Sequence, residues 1–219
     1  MQSVLLCDKR SIMSGILHAI GVLFSVFSMT IFLIFCFLFQ KDGRVKLCLF
    51  FFSFTMFLLY QASTIFHVFY ISERVHTILR KVDHSMVFVL ILGSYVPLCF
   101  LLLPKSLGQI LFFSVLGLSL VGILLKWYWI DAPKWFCASI YICFGWAILF
   151  GLPYLYHHLV FSTLAWLFSG GIAYTIGAII YMLPCSILDT PYLGNHEVFH
   201  VFILLGSLCH FIFYLCLFF

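Results

Sequence analysis

Seven stretches of this chain contain no aspartate, glutamate, lysine or arginine, at 12–39, 47–70, 85–103, 107–125, 135–156, 159–183 and 198–219. Each is long enough to cross a bilayer's hydrocarbon core, which takes roughly 20 residues in an α-helix. In lipid every backbone polar group must be paired inside its own element, so apolar runs of this length predict transmembrane helices. The expected fold is all-α: an integral membrane bundle of seven helices in one domain over 1–219, multi-pass in a cell membrane. Composition agrees, since only 8% of residues are charged, against about 25% in soluble domains. Mean hydropathy is +1.20.

The fifth and sixth runs are continuous in charge terms, and the stretch from Gly151-Leu152-Pro153 to His157-His158 is the expected turn between them. The first run is too long for the apolar part of a signal peptide. About eleven residues precede it and essentially none follow the seventh, so chemistry is expected in or beside the bilayer. A net charge of +4 spread over short loops does not form a nucleic-acid footprint, and no nucleic-acid partner is expected.

With a cytoplasmic N-terminus, Lys9, Arg10, Arg74, Arg80, Lys81, Lys126 and Lys134 fall inside, whereas Lys41, Arg44, Lys46 and Lys105 fall outside. This excess predicts a cytoplasmic N-terminus and an external C-terminus. Trp127, Tyr128, Trp129 and Trp135 read as an interfacial aromatic belt. The nine cysteines include no C-x-x-C pair and are expected to be small apolar packing residues, not disulfides.

The segment Asn195-His196-Glu197-Val198-Phe199-His200 contains the H-E-x-x-H string that soluble metalloproteases carry on a helix. Residues four apart are separated by about 40° of rotation and about 6 Å of rise, so His196 and His200 share a face. Seven spans sort the loops by parity. His67, Asp83, His84, His196 and His200 then fall on one side at similar depth, and His157 and His158 on the other. His210 lies about 15 Å beyond His200 along the helix, where packing or an interhelical hydrogen bond is expected. Three neutral imidazoles, His67, His196 and His200, leave one tetrahedral zinc position open, which is the arrangement of a catalytic site. Asp83 would act as base and Ser63, one turn from His67, would orient it or contact a substrate carbonyl. The competing reading is that these groups only tie helices together by hydrogen bonds. Asn195 is expected to cap the seventh helix and Glu197 to complement its positive end, which argues against a protease role for Glu197.

Several motifs together resemble the hemolysin III family, the bacterial branch of the progestin and adiponectin receptor superfamily. They are Ser63-Thr64-Ile65-Phe66-His67; Lys81-Val82-Asp83-His84 with Gly93-Ser94-Tyr95-Val96-Pro97; Tyr141 to Trp146; Gly170 to Ala178; and His196-Glu197-Val198-Phe199-His200 through Gly206 and His210. The resemblance implies seven helices and a zinc ion near the cytoplasmic side, with His67, His196 and His200 as ligands, Asp83 holding the zinc-bound water and Ser63 beside it. It also implies zinc-dependent hydrolysis of a membrane lipid, as in the superfamily's alkaline ceramidases. The first span departs from the pattern: Ser14-Gly15-Ile16-Leu17-His18 stands where a Thr-His pair preceded by Asn is expected. His18 and His84 are expected to support the site without holding the ion. Ala173 and Gly177 fit close helix packing, and Pro97 is expected to kink the third span.

The leading expectation is a zinc-dependent hydrolase whose acyl-lipid substrate enters from the inner leaflet. A second is a membrane sensor or regulator with structural zinc. The third is a cytolytic pore, against which the charge-free spans count.

Overall fold

The computed structural model describes residues 9–184 and 190–219, with side chains from residue 11 onward. Eight α-helices follow in order: α1 (Lys9–Leu38), α2 (Gly43–Val68), α3 (Glu73–Pro97), α4 (Lys105–Tyr128), α5 (Lys134–Gly145), α6 (Leu152–His158), α7 (Phe161–Met182) and α8 (Asn195–Phe218). With α5 and α6 counted together as one crossing, seven helices are long and apolar enough to span a membrane. The chain is an all-helical, multi-pass membrane protein.

Polar residues at the ends of the apolar runs start the helices. Asp42 accepts the Val45 N–H at 2.9 Å, and Ser72 accepts that of Val75 at 3.3 Å; each satisfies an amide that the first turn leaves unpaired. At the start of α8 the cap falls on Gly194, not on Asn195 as expected. Glu197 reaches back to the Gly194 N–H at 2.8 Å. Asn195 is the first helical residue, and its side-chain amide instead reaches the Leu183 carbonyl at 3.2 Å. It ties α8 to the end of α7.

The expected turn at Gly151 to His158 is also corrected. The chain passes from α5 through a 3-10 segment, Trp146–Gly151, into α6, and turns only at 159–160. Pro153 sits in the first turn of α6, where its missing N–H leaves no bond unmade. Tyr95 repairs the break between the two helices: its hydroxyl donates to the Gly145 carbonyl at 2.8 Å and accepts the Ile148 N–H at 2.7 Å. Such repair is what permits irregular backbone at membrane depth. Pro97 closes α3 and is followed by a π-helical turn, Leu98–Leu102, so the distortion expected of it takes that form.

Lipid tails are as apolar as leucine, so helices in a bilayer are held together by close packing and hydrogen bonds more than by the hydrophobic effect. The interior follows that rule. A Cβ on Gly177 of α7 would stand 2.7 Å from the Phe202 Cβ of α8, so glycine there lets the two backbones approach. Tyrosines inside the bundle pair their hydroxyls across helices: buried Tyr60 with Ser207 at 2.7 Å, half-buried Tyr174 with the same Ser207 at 2.9 Å, and buried Tyr214 with the Ser94 carbonyl at 2.5 Å. Outward, large apolar side chains such as Leu23, Phe37, Phe150 and Phe161 are more than 70% exposed; lipid is their solvent. Trp127, Tyr128, Trp129 and Trp135 are exposed where α4 ends and α5 begins, as an interfacial belt requires.

Candidate metal centre

Four histidines from three helices converge at the end of the bundle where α8 begins. His18 comes from α1, His67 from the last turn of α2, and His196 and His200 from the first two turns of α8. Ligand atoms of His18, His67 and His200 lie within 4.8 Å of one another, and all three side chains are buried. His196 joins them from the side: its Nε2 is 3.5 Å from the His67 Nε2, and its ring centroid is 4.3 Å from that of His200.

Small residues on α1 make room for this meeting. Gly15 faces the end of α2, where a Cβ would stand 2.7 Å from Val68 and 3.8 Å from the His67 Cβ. The rings of His18 and His67 consequently lie nearly parallel, 5.8 Å apart with a 6° interplanar angle. Ser14, one turn before His18, is fully buried and donates to the Glu197 carboxylate at 2.9 Å. The polar link from α1 to α8 is therefore present despite the altered motif. Glu197 points to Ser14 and Gly194, which spends its oxygens on holding the helix start.

The hydrogen-bond pattern tests whether an ion fits. His18 Nε2 and His200 Nδ1 are 2.9 Å apart, so one donates to the other. When His200 donates, its Nε2 keeps a lone pair, and both that atom and the Nδ1 of His18 are buried without a hydrogen-bond partner among the described residues. A buried nitrogen with nothing to bond is costly unless something else occupies it. At a zinc–nitrogen distance of about 2.0–2.1 Å, two tetrahedral ligands stand about 3.3–3.4 Å apart. The His67–His196 separation matches that edge, and neutral imidazoles are the donor set zinc favours. The residues fit a metal ion.

Asp83 and Ser63 meet beside this cluster, where the Ser63 hydroxyl hydrogen-bonds the Asp83 carboxylate. Both face a cavity of about 150 Å³, which His18, His84, His196 and His200 also line. From this polar head the cavity runs into an apolar wall that includes Leu90, Ile91, Ala138, Ile142, Phe168 and Ile203. The His84 carbonyl accepts from Tyr141 at 3.2 Å, which fixes α3 against α5.

The other histidines stand apart. His157 and His158 are exposed at the far end of the fifth crossing, with His158 bonded to the Tyr154 carbonyl at 2.7 Å. His210 packs against Gly170 and bonds the Leu167 carbonyl of α7, the interhelical role expected of it. Sequence reasoning assigned His18 only a supporting place and gave Ser14 none. The parity argument contained a signal for both, because they fall on the same side as His67, four residues apart on one helical face.

Comparison with known proteins now adds to the geometry. The family model described as haemolysin-III related matches residues 9–211. The chain belongs to that family. Among curated relatives, the protein named Hemolysin-3 of Bacillus cereus is 30% identical over 201 residues, covering 91% of this chain and 87% of the relative. The Hemolysin-3 homolog of Bacillus subtilis (strain 168) is 31% identical over 199 residues, covering 91% of this chain and 90% of that protein. No solved structure matches the chain significantly. With seven membrane-spanning helices and bacterial relatives, this haemolysin-III protein is a multi-pass protein of the cell membrane.

Proposed function

We propose that this haemolysin-III protein is a zinc-dependent hydrolase of an acyl lipid. The observation that carries the reading is the buried, partnerless Nε2 of His200 among neighbouring imidazoles, at the polar head of an otherwise apolar cavity. His67, His196 and His200 are the ligands. His18 accepts the Nδ1–H of His200 and so orients that ring, the role a hydrogen-bonded neighbour plays in zinc–histidine sites generally. Bound there, zinc supplies a Lewis acid that polarises a carbonyl and lowers the pKa of a water molecule to near neutrality.

The chain's own residues supply the remainder. Asp83 takes a proton at its carboxylate as water adds to the substrate carbonyl, and returns it to the leaving amine or alcohol. Ser63 holds that carboxylate toward the cavity. The apolar wall excludes bulk water and receives the acyl chain. A volume of about 150 Å³ is that of a pocket that holds a benzene ring. Only the segment of chain next to the carbonyl fits, and the remainder extends into the bilayer. Substrate therefore enters sideways from the lipid, on the cytoplasmic side if the basic loops set the orientation.

Purified protein in lipid micelles, incubated with ceramides, N-acyl and O-acyl lipids, should release free fatty acid, and Asp83→Asn should slow release by about 10²- to 10⁴-fold while retaining zinc. Retained zinc with no turnover of any acyl lipid by the parent would favour a regulator whose zinc is structural.

A further inference from the structure

A second polar pair lies outside the histidine cluster, and one of its two members, Cys137, lines the same cavity. Lys126, in the last turn of α4, is 2% exposed, and its ammonium has one hydrogen-bond partner among the described residues: the Sγ of Cys137, in the first turn of α5. Burying a lysine amine is expensive unless it is paired. A thiol is an unusual partner to select for it when Asp131 stands nearby in sequence, engaged instead with Arg80 at 2.9 Å. Cys137 is itself 4% exposed, and its other neighbour is the Ala132 carbonyl at 3.8 Å.

The distance is informative. Nζ and Sγ are 2.7 Å apart. Hydrogen bonds from nitrogen to oxygen centre on about 2.9–3.0 Å, and sulfur is larger than oxygen, so a hydrogen bond to sulfur should be longer. The two atoms are as close as atoms joined through one shared neighbour.

We propose that Lys126 and Cys137 are the two halves of an oxidation-dependent N–O–S bridge that locks α4 to α5. Starting from the amine and the thiol, one N–H and one S–H bond break and an N–O and an O–S bond form. Dioxygen accepts the four electrons: one of its atoms becomes the bridge, and the other leaves as water with the two hydrogens. Four thiol equivalents reverse the reaction, returning amine and thiol and releasing the bridging oxygen as water. Cysteine oxidation is site-selective because it depends on the groups held beside the sulfur.

The position gives the bridge a consequence. Cys137, Ala138 and Tyr141 are successive cavity-lining residues of α5, and α5 is the helix interrupted by the 3-10 segment. Tying its first turn to α4 fixes one wall of the cavity when the cell becomes oxidising and frees it when thiols are abundant. This inference does not depend on the hydrolase reading.

The test uses the full-length protein in detergent micelles, divided between air exposure and dithiothreitol, then denatured in SDS, treated with a maleimide, digested with trypsin and analysed by mass spectrometry. The air-exposed sample should lose maleimide labelling at Cys137 and tryptic cleavage after Lys126. It should also yield a linked species containing both residues, with one oxygen more and two hydrogens fewer than the unlinked chain. Dithiothreitol should restore labelling and cleavage. Exposed Cys143 and Cys216 serve as labelled controls in the same sample, and Lys126→Arg should leave Cys137 labelled in both conditions. Full labelling of Cys137 after air exposure overturns the proposal. So does protection that persists in Lys126→Arg, or a linked species without the added oxygen. The parent comparison with and without reductant decides the matter even if the variant fails to fold.

Discussion

Two histidine pairs sit at opposite ends of this bundle and have opposite surroundings. His157 and His158 are adjacent in sequence, so they point about 100° apart on their helix, and both are exposed at the end of α6. His158 satisfies itself locally, bonding Tyr154 and stacking on its ring at 3.8 Å between centroids. His196 and His200 are four apart, share a face, and are met by His67 from α2 and His18 from α1. What separates them is not the residue type but whether spacing and neighbouring helices leave a nitrogen without a bond. Among the described residues no cluster of ligand atoms forms at the α6 end; at the α8 end the His200 Nε2 and the His18 Nδ1 are left over.

The sharpest way to break this comparison is to remove a ligand. His200→Ala should reduce bound zinc and lipid hydrolysis to background, measured by elemental analysis and fatty-acid release on the same preparation. Next in size, Asp83→Asn should slow hydrolysis by about 10²- to 10⁴-fold, the usual contribution of a general base, at unchanged zinc content. A smaller effect is expected from His18→Ala. If His18 orients His200, metal affinity falls about 10- to 100-fold, read by competition with a chelator. Complete loss of stoichiometric zinc at every concentration would make His18 a direct ligand instead. Gly177→Leu should destabilise the α7–α8 contact by about 1–3 kcal/mol through overpacking, seen as a lower thermal midpoint. The smallest effect belongs to the other pair. His158→Ala should leave zinc content unchanged and alter stability by no more than about 0.5 kcal/mol.

The number of crossings was legible in the sequence because lipid imposes one strong rule, and charge-free runs report it directly. Their interruptions were harder to read. Gly151 and Pro153 look like turn signals, yet in a membrane a tertiary hydrogen bond can carry the chain through a break, and Tyr95, more than 50 residues away, provides it. At the site, helical spacing brought His196 and His200 together, parity added His67 and Asp83, and spacing on the second span placed Ser63 one turn from His67. Periodicity along one helix does not say which ring nitrogen on another will be 2.9 Å away. For that reason the His18–His200 bond and the Ser14–Glu197 link emerge only from packing. Lys126 is the clearest case. Its position at a span end reads as a solvated basic residue, whereas the fold buries it against Cys137.

The account rests on the histidine cluster holding a metal ion. Its most direct test is elemental analysis of protein purified without added metal or chelator, alongside His67→Ala, His196→Ala and His200→Ala prepared identically. The account predicts close to one zinc per chain in the parent and almost none in the three variants. A folded parent that contains no stoichiometric metal and takes up none when zinc is supplied would contradict it.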